Sequence, residues 1–396
     1  MKYVVVILDG AAGWPLDECG GKTTLEAAQT PNLDMLAREG RVGLALTVPA
    51  GEEPSSSAAC TSILGYDPVA DYVGRGAIEA ASMGIELADD EVALRLNTVT
   101  IEDGVMTSYA CGHIATEESN AIINDIATAL DDETFKLYPG IAYRHILVVK
   151  GHPELLELAY TPPHDISDRP VAGHLPSGPG AQLLLDFIER ARPLLANSAV
   201  NRCRIADGKL AVSDVWPFWP GVAPQGMSPF TERFGVTAAM TSGVDLLGGL
   251  AVLAGIDRLE IDGVTGGSDN DYAGQTEGAL AALDDYDLVV IHVESPDEEG
   301  HAGDVAAKIA AIEAIDAEVV SRVVAYARAE EDVRVLAMPD HPTPIAIKTH
   351  VGEPVPFIVW GAGVAANGAS GYGEAAAKET GLLLDPGYQV MTELLG

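Results

Sequence analysis

The chain has 396 residues, 47% of them hydrophobic, so it can bury the cores of two or three domains. Its 23 basic and 59 acidic residues give a formal net charge of −36, which excludes nucleic-acid binding because a phosphate backbone needs a positive partner surface. No apolar run reaches the length of about 18 residues that a membrane span needs, and a strand-like run begins at Tyr3. We therefore expect no membrane span, no signal peptide and a cytoplasmic location.

The first 71 residues predict alternating strands and helices. Residues 3–8 form a short β-branched run typical of a buried strand, and Asp9 follows it directly. Pro31 has the residue type of a first helical position, and Gly40 that of a helix C-terminus. Residues 58–64 predict a short apolar helix.

Residues 72–236 have a different pattern, in which the predicted strands are antiparallel. A strand pair spans residues 92–109, and a helix follows over residues 116–130. Two proline-rich segments, Thr161–His164 and Trp216–Pro220, predict loops. This stretch therefore predicts a separate α+β domain.

From residue 237 onward strands again alternate with helices, including a long predicted helix over residues 305–329. Such alternation predicts an α/β fold with a mostly parallel sheet. Because candidate ligands lie both before and after residues 72–236, we expect residues 1–71 and 237–396 to form one domain. The α+β domain is then an insertion in it.

Carboxylate and imidazole side chains follow three of the predicted strands. Asp9 follows the first, and other candidates follow the strands over residues 287–293 and 334–338. The carboxyl ends of parallel strands are where open α/β sheets place ligands, and these residue types bind Zn and Mn. The sequence therefore predicts two divalent metal ions, one bound by Asp297, His301 and His350, and the other by Asp9, Asp340 and His341.

Three consecutive serines, Ser55-Ser56-Ser57, open the helix predicted over residues 58–64. The N-terminus of a helix favours an anion, and two neighbouring metal ions suit in-line displacement at phosphorus. One of these serines is therefore the predicted nucleophile, which would become phosphoserine. The alternative is an ordinary serine N-cap.

Segments nearly throughout the chain resemble the cofactor-independent phosphoglycerate mutases, specifically the archaeal-type branch that also holds bacterial proposed homoserine kinases. The resemblance is carried by Asp9-Gly10, Ser56, Ile63-Leu-Gly-Tyr-Asp-Pro68, Gly74-Arg-Gly76, Pro296-Asp-Glu-x-Gly-His301, Asp340-His-Pro-Thr-Pro344 and Thr349-His350. It implies an alkaline phosphatase-like core, from the superfamily of that name, with an inserted domain. It also implies interconversion of 3-phosphoglycerate and 2-phosphoglycerate through phosphoserine, with two Mn or Zn ions and without 2,3-bisphosphoglycerate.

The resemblance also implies residue roles. Ser56 is the family's nucleophile and joins the second metal set, and His113 matches a histidine that assists proton transfer or substrate binding. Arginines would bind the phosphate and carboxylate of a small phosphorylated carboxylate substrate, because a guanidinium can bind either group through two hydrogen bonds. The candidates are Arg75, Arg144, and Arg169 or Arg202.

The chain also differs from the family pattern. An acid and an asparagine commonly follow the nucleophile where this chain has Ser57 and Cys60, and a lysine is common where it has Gln275. These differences leave two alternatives open. One is a phosphotransferase or phosphatase for another small phosphate ester, such as a homoserine-directed enzyme. The other is a degenerate metal-binding protein without activity.

Overall fold

The computed structural model describes residues 1–224 and 227–396, which form two compact units. The first unit combines Met1–Tyr72 with the chain from residue 227 onward, and the second begins at Val73 and is described to residue 224. Residues 227–236, which the sequence pattern assigns to the insertion, belong instead to the first unit. Tyr66 of that unit donates its hydroxyl to the Ser228 carbonyl at 2.8 Å and packs edge-on against Phe234, contacts that the local sequence does not reveal.

The strands of the described residues belong to one sheet in each unit. In chain order they are β1 (Lys2–Leu8), β2 (Arg41–Ala45), β3 (Glu91–Glu102), β4 (Val105–Ser108), β5 (Phe135–Tyr138), β6 (Arg144–Lys150), β7 (Asp214–Val222), β8 (Ala238–Thr241), β9 (Asp257–Arg258), β10 (Leu288–Val293), β11 (Val333–Met338), β12 (Val355–Gly361) and β13 (Leu383–Leu384).

The α-helices of the same residues surround and connect these strands. They are α1 (Thr24–Ala27), α2 (Pro31–Glu39), α3 (Ser56–Ile63), α4 (Arg75–Ser82), α5 (Thr116–Leu130), α6 (Ala181–Asn197), α7 (Ala199–Ala206), α8 (Phe230–Phe234), α9 (Asp245–Leu253), α10 (Tyr272–Ala282), α11 (Ser295–Ala302), α12 (Val305–Ala314), α13 (Ser321–Ala329), α14 (Glu374–Glu379) and α15 (Val390–Leu395). A π-helical stretch, Ile315–Val320, joins α12 to α13, so the long helix predicted over residues 305–329 is confirmed. Within the described ranges, no helix is both long and apolar enough to cross a membrane.

The first unit is built on an eight-stranded, mostly parallel sheet, as the alternation of strands and helices predicts. The described strands follow the order β13-β2-β12-β11-β1-β10-β8-β9. Only β12 runs against its neighbours, β11 and β2. The central strand β1 is buried along nearly its whole length, which explains its continuous apolar sequence.

The register of β1 brings the ends of three strands together. Leu8 pairs with Val293 at the end of β10, and Ile7 pairs with Met338 at the end of β11. Asp9 and the residues that follow β10 and β11 therefore leave the sheet at the same edge. This edge carries the candidate site.

The second unit contains an antiparallel sheet in which the long strand β3 pairs with β4, β6 and β7, and β5 extends it beyond β6. The predicted loop at Trp216–Pro220 is wrong, because these residues lie inside β7. The strand tolerates Pro217 and Pro220 because β3 is its only partner among the described strands, and an edge strand does not need every backbone N–H for pairing. The register between β3 and β7 shifts at Trp219, where the strand bulges.

Candidate active site

The first cluster at this edge consists of Asp297, His301 and His350. Asp297 and His301 lie one turn apart on α11, and His301 Nε2 is 3.1 Å from Asp297 Oδ2. His350 Nε2 is 3.4 Å from Asp297 Oδ1, and the two imidazole Nε2 atoms are 2.9 Å apart. One donor atom from each residue therefore points to a common centre, and these atoms lie within 4.8 Å of one another.

The hydrogen bonds on the far side of each imidazole orient the cluster. His301 Nδ1 lies 3.0 Å from the Lys348 carbonyl, and His350 Nδ1 lies 3.4 Å from the Pro54 carbonyl. A carbonyl can only accept, so Nδ1 of each ring carries a proton and Nε2 faces the common centre. The hydrogen bond with Asp297 raises the pKa of His301 to about 9, so its Nε2 favours a proton or another cation. The cluster thus attracts positive charge, and its donor set fits a divalent metal ion with second-sphere carbonyls.

The second cluster consists of Asp9, Asp340 and His341, all fully buried. His341 Nε2 is 3.2 Å from Asp340 Oδ2 and 3.5 Å from Asp9 Oδ1. Asp9 Oδ1 is buried without a hydrogen-bond partner among the described residues. Burial, and then the charge of Asp340, raises the pKa of Asp9 well above its ordinary value. A buried carboxylate with an unpaired oxygen indicates that a cation fits here as well.

Ser56 is the serine of the three whose hydroxyl contacts this cluster. It is the first residue of α3, and its Oγ lies 3.2 Å from His341 Nε2. Ser55 is the N-cap, and its Oγ accepts a hydrogen bond from the Ala58 N–H. Ser57 is buried and its Oγ lies 3.1 Å from Ser55 Oγ. The geometry therefore distinguishes Ser56, beside the cluster, from a capping serine and a buried serine.

Cys60 lies one turn further along α3, beneath the second cluster. Its Sγ is buried, 3.9 Å from Asp340 Oδ2. Burial, and then the charge of Asp340, raises the pKa of this thiol well above its ordinary value. Cys60 is therefore a neutral, weak donor to the carboxylate of Asp340.

His292 belongs to this site, although the sequence analysis does not assign it a role. His292 Nε2 lies 2.8 Å from Asp9 Oδ2, and an ionised carboxylate can only accept, so the neutral ring carries its proton on Nε2 and donates to Asp9. Nδ1 then accepts from the hydroxyl of Ser242, 3.0 Å away, whose oxygen also accepts from the Val244 N–H at 3.0 Å. This chain of hydrogen bonds orients Asp9. A histidine inside an otherwise apolar buried strand is the sequence signal that could have revealed it.

Glu294 also lies at this edge of the sheet. Its carboxylate, with Asp9 and His292, forms a third group of metal-type donors, and its Oε2 is buried without a hydrogen-bond partner in the described part of the chain. Burial, then the charge of Asp297, raises the pKa of Glu294 to about 7. Glu294 therefore adds another carboxyl group beside Asp9.

A buried cation, Lys308, offsets part of the negative charge of these carboxylates. Its Nζ donates to the Thr343 carbonyl at 2.7 Å and to the Ala12 carbonyl at 3.3 Å. Burial lowers its pKa to about 8, and the charge of Asp297 opposes that shift. A lysine on a long helix suggests a solvent-exposed residue, so its burial could not be predicted from the local pattern.

Gln275, which occupies the position of the family's lysine, is fully buried on α10. Its Nε2 donates to the His292 carbonyl at 2.9 Å, and its Oε1 accepts from Asn270 at 2.8 Å. The side chain therefore supports the strand that carries His292.

In the second unit, Arg75 and Arg144 lie near an arginine that the sequence analysis missed, Arg95. Arg75 opens α4, Arg144 opens β6, and Arg95 lies on β3, which pairs with β6. Burial lowers the pKa of Arg95, Glu79 opposes the shift, and the charges of Arg75 and Arg144 add to it. This part of the second unit therefore concentrates positive charge.

The other candidates of the second unit lie elsewhere. Arg202 Nη1 donates to the Asn197 carbonyl at 2.7 Å, at the end of α6. Arg169 is exposed in a loop. His113 is exposed between β4 and α5 with a left-handed φ of 56°. Arg202 thus has a structural partner, whereas His113 and Arg169 are accessible to a ligand.

Comparison with known proteins identifies the family. The family described as 2,3-bisphosphoglycerate-independent phosphoglycerate mutase matches residues 37–201. A mutase of that name from Methanothrix thermoacetophila is 46% identical over 382 residues, 96% of this chain and 96% of the relative.

Two solved structures are also similar over the whole chain. A Pyrococcus horikoshii protein is 28% identical with a TM-score of 0.83, covering 100% of this chain and 96% of that one. A cofactor-independent phosphoglycerate mutase from Thermoplasma acidophilum is 25% identical with a TM-score of 0.70, covering 100% and 99%. Because the Methanothrix relative is 46% identical over 96% of this chain, the chain belongs to the family of 2,3-bisphosphoglycerate-independent phosphoglycerate mutases.

Proposed function

We propose that this protein interconverts 3-phosphoglycerate and 2-phosphoglycerate through a phosphoserine at Ser56, without 2,3-bisphosphoglycerate. The observation that carries the proposal is the Ser56 hydroxyl, which lies at the start of α3 and 3.2 Å from His341 of the second cluster. Membership of the mutase family supports the same reaction. As a glycolytic isomerase the protein would act in the cytoplasm, which is the location we propose.

Two divalent ions fit the site. One would be held by Asp297, His301 and His350, and the other by Ser56, Asp9, Asp340 and His341. When bound, Mn or Zn would supply positive charge for the phosphate oxygens and favour the ionised serine hydroxyl. The mixed oxygen and nitrogen donors accommodate either metal. Metal analysis of the protein purified at its native expression level would therefore show which of the two it binds.

The chain's own residues account for the transfer. Ser56 Oγ attacks phosphorus, so that an Oγ–P bond forms as the P–O bond to one glycerate oxygen breaks. The released glycerate oxygen takes up a proton, and we assign His113 to carry it. The other glycerate hydroxyl then returns a proton to His113 and attacks phosphoserine, so that a new P–O bond forms as the bond from phosphorus to Ser56 Oγ breaks. The N-terminus of α3 favours the negative charge of the phosphoryl group throughout.

Arginines of the second unit are the proposed ligands of the substrate's anionic groups. Arg75 and Arg144 are the stronger candidates, because they lie in the positive region around Arg95. Arg169 is accessible and remains a candidate. Arg202 is the weakest, because its guanidinium already binds the Asn197 carbonyl.

An enolase-coupled assay with 3-phosphoglycerate and Mn-loaded protein tests the proposal. We expect turnover by the wild type and by Ser57→Ala, and loss of turnover in Ser56→Ala with unchanged metal content. Ser57 is the matched control because it is adjacent to Ser56 but has its hydroxyl against Ser55. Full activity of Ser56→Ala would refute the serine mechanism.

Phosphoryl transfer to another small hydroxyl acceptor is a second candidate. It is favoured by Ser57 and Cys60, which replace the acid and asparagine common beside the nucleophile in this family. We would then expect no 2-phosphoglycerate, but homoserine-dependent consumption of ATP or release of phosphate from another ester. If 3-phosphoglycerate is turned over and neither homoserine nor another ester is, this candidate is excluded.

A further inference from the structure

Thr343 of the first unit is a buried polar residue to which the proposed phosphoryl transfer assigns no role. It lies two residues beyond His341 of the second cluster and is fully buried. Its hydroxyl donates a hydrogen bond to Asp297 Oδ1 of the first cluster. The same oxygen lies 3.3 Å from His341 Nδ1. One hydroxyl group therefore contacts a candidate ligand from each of the two clusters.

The directions of these two hydrogen bonds agree with what metal ligands require. Ligands must be deprotonated, so a metal-binding carboxylate is ionised and a metal-binding imidazole is neutral. A carboxylate can only accept, so Thr343 gives its single hydroxyl proton to Asp297. His341 must then donate from Nδ1 to the threonine oxygen. A neutral His341 ring protonated on Nδ1 keeps its lone pair on Nε2, the nitrogen that faces the second cluster.

The main chain of Thr343 is held on both sides. Its N–H donates to the Ala12 carbonyl at 3.0 Å, and its carbonyl accepts from Lys308 Nζ at 2.7 Å. Both polar groups of this peptide segment are therefore satisfied inside the protein. The side chain projects from a fixed backbone, so its hydroxyl has a defined position relative to the two ligands.

Two glycines leave the space that this side chain occupies. A Cβ atom on Gly10 would lie 2.7 Å from Thr343 Oγ1 and 2.4 Å from Asp297 Oδ1. A Cβ atom on Gly300 would lie 2.8 Å from the methyl carbon of Thr343. These separations are well inside van der Waals contact, so both positions need glycine. The methyl group thus packs against Gly300 while the hydroxyl faces Asp297, and a β-branched side chain is stiff about this bond.

We infer that Thr343 is a positioning residue shared by the two ion sites, because one hydroxyl orients Asp297 for one ion and His341 for the other. The inference rests on the proposed function, which includes two bound divalent ions. Thr343 acts through these two ligands and is not a ligand itself. Partners of this kind hold ligands in the orientation that the metal needs. His292 orients the single ligand Asp9, whereas Thr343 orients one ligand in each site.

Titration of the full-length protein with Mn in competition with a chelator tests this inference. We expect Thr343→Val, which keeps the branched shape but lacks the hydroxyl, to weaken both ions by about 10- to 100-fold, as loss of a second-sphere partner typically does. Thr276→Val is the matched control and should bind both ions as the wild type does. Thr276 is buried in the same unit, and its hydroxyl donates to the Tyr272 carbonyl at 2.7 Å. Weakening of one ion alone, or of neither, in Thr343→Val would overturn the shared role.

Thr343→Ser separates the hydroxyl from the packing of the methyl group. Serine keeps the hydroxyl but lacks the methyl that packs against Gly300, so we expect it to bind both ions nearly as tightly as the wild type. The opposite order, with tight binding by Thr343→Val and weak binding by Thr343→Ser, would show that the residue acts by packing. If Thr343→Val does not fold, Thr343→Ser decides the question. Tight binding by that variant would then support the positioning role, and weak binding at wild-type stability would refute it.

Failure of this inference and failure of the proposed function are separable, because ion binding needs neither substrate nor turnover. Suppose that both ions depend on the Thr343 hydroxyl but 3-phosphoglycerate is not turned over. That result would support the positioning role and refute only the proposed reaction. Turnover of 3-phosphoglycerate by a Thr343→Val variant that binds both ions with wild-type affinity would refute only the positioning role.

Discussion

The two units of this protein differ in the sign of the charge that their candidate binding residues bring together. The first unit gathers buried carboxylates and histidines at one edge of a parallel sheet, with Lys308 as a buried cation beside them. The second unit gathers arginines around one carboxylate, Glu79. In the first arrangement carboxylates outnumber cations, so it fits metal ions. In the second, arginines outnumber the carboxylate, so it fits an anion.

The largest expected effect is on the second cluster. Asp340→Asn removes a charged donor, so we expect one bound ion per chain instead of two and turnover near the assay background. Metal content by mass spectrometry and the enolase-coupled assay measure these effects. Asp257→Asn, at exposed β9, is the control and should retain both ions. Two tightly bound ions in Asp340→Asn would contradict the proposed ligand set.

His292→Asn tests whether the hydrogen bond to Asp9 Oδ2 orients that ligand. Loss of a second-sphere partner typically weakens metal binding by about 10- to 100-fold. We expect a loss of that size for one of the two ions in a competition assay with a chelator. His292→Gln, whose amide can reach further, should recover part of the affinity. Unchanged affinity in both variants would show that Asp9 needs no support from His292.

Lys308→Met removes the buried cation of the first unit. Two carbonyls lose their hydrogen-bond donor, and the neighbouring carboxylates lose the positive charge beside them. We therefore expect the free energy of unfolding to fall by about 2–4 kcal/mol. Bound Mn supplies positive charge, so it should raise the melting temperature of Lys308→Met more than that of the wild type. An equal rise in both proteins would argue that Lys308 does not compensate the cluster.

The smallest effect concerns the second unit and acid pH. His145 Nδ1 accepts the Gly140 N–H at 3.1 Å and Nε2 lies 2.9 Å from Ser119 Oγ, so the buried ring is neutral. Burial, then the charge of Arg95, lowers its pKa to about 3. Because the unfolded chain has the higher pKa, about 6.5, the unfolded state takes up the proton first as pH falls. The stability that the neutral His145 ring contributes is therefore complete above about pH 6.5 and is lost as the pH falls toward about 3.

The slope of this loss is about 1.4 kcal/mol per pH unit for one histidine. We expect urea unfolding between pH 6 and pH 4 to show a slope smaller by about that amount in His145→Gln than in the wild type. Subtracting the two curves removes the contributions of other titrating groups. Parallel curves would show that His145 titrates normally in the folded protein.

Much of the first unit could be predicted from sequence because its signals are local. Short β-branched runs followed by Asp9, Asp297 or Asp340 mark both the strands and the ligands that leave them. The mostly parallel sheet is confirmed. The missed residues, His292 and Lys308, lie inside a strand and a long helix, where apolar neighbours or helical periodicity conceal a polar role.

The second unit was harder to predict because its features depend on pairing between distant strands. The prolines of β7 indicate a loop unless the strand is known to be at an edge. The orientation of Trp219 depends on a register shift against β3, which no local pattern specifies. Arg75 could be singled out from its glycine neighbours, but its cation–π contact with Trp219 at 3.8 Å and its hydrogen bond to Glu79 at 3.0 Å could not.

Peptide mass spectrometry after rapid acid quench would detect phosphorylation of Ser56 during turnover. The Mn-loaded protein would be mixed with 3-phosphoglycerate without added 2,3-bisphosphoglycerate. We expect a phosphate on Ser56 during turnover and none on Ser55 or Ser57. Turnover with phosphate on another residue, or with Ser56 unmodified at every quench time, would contradict it.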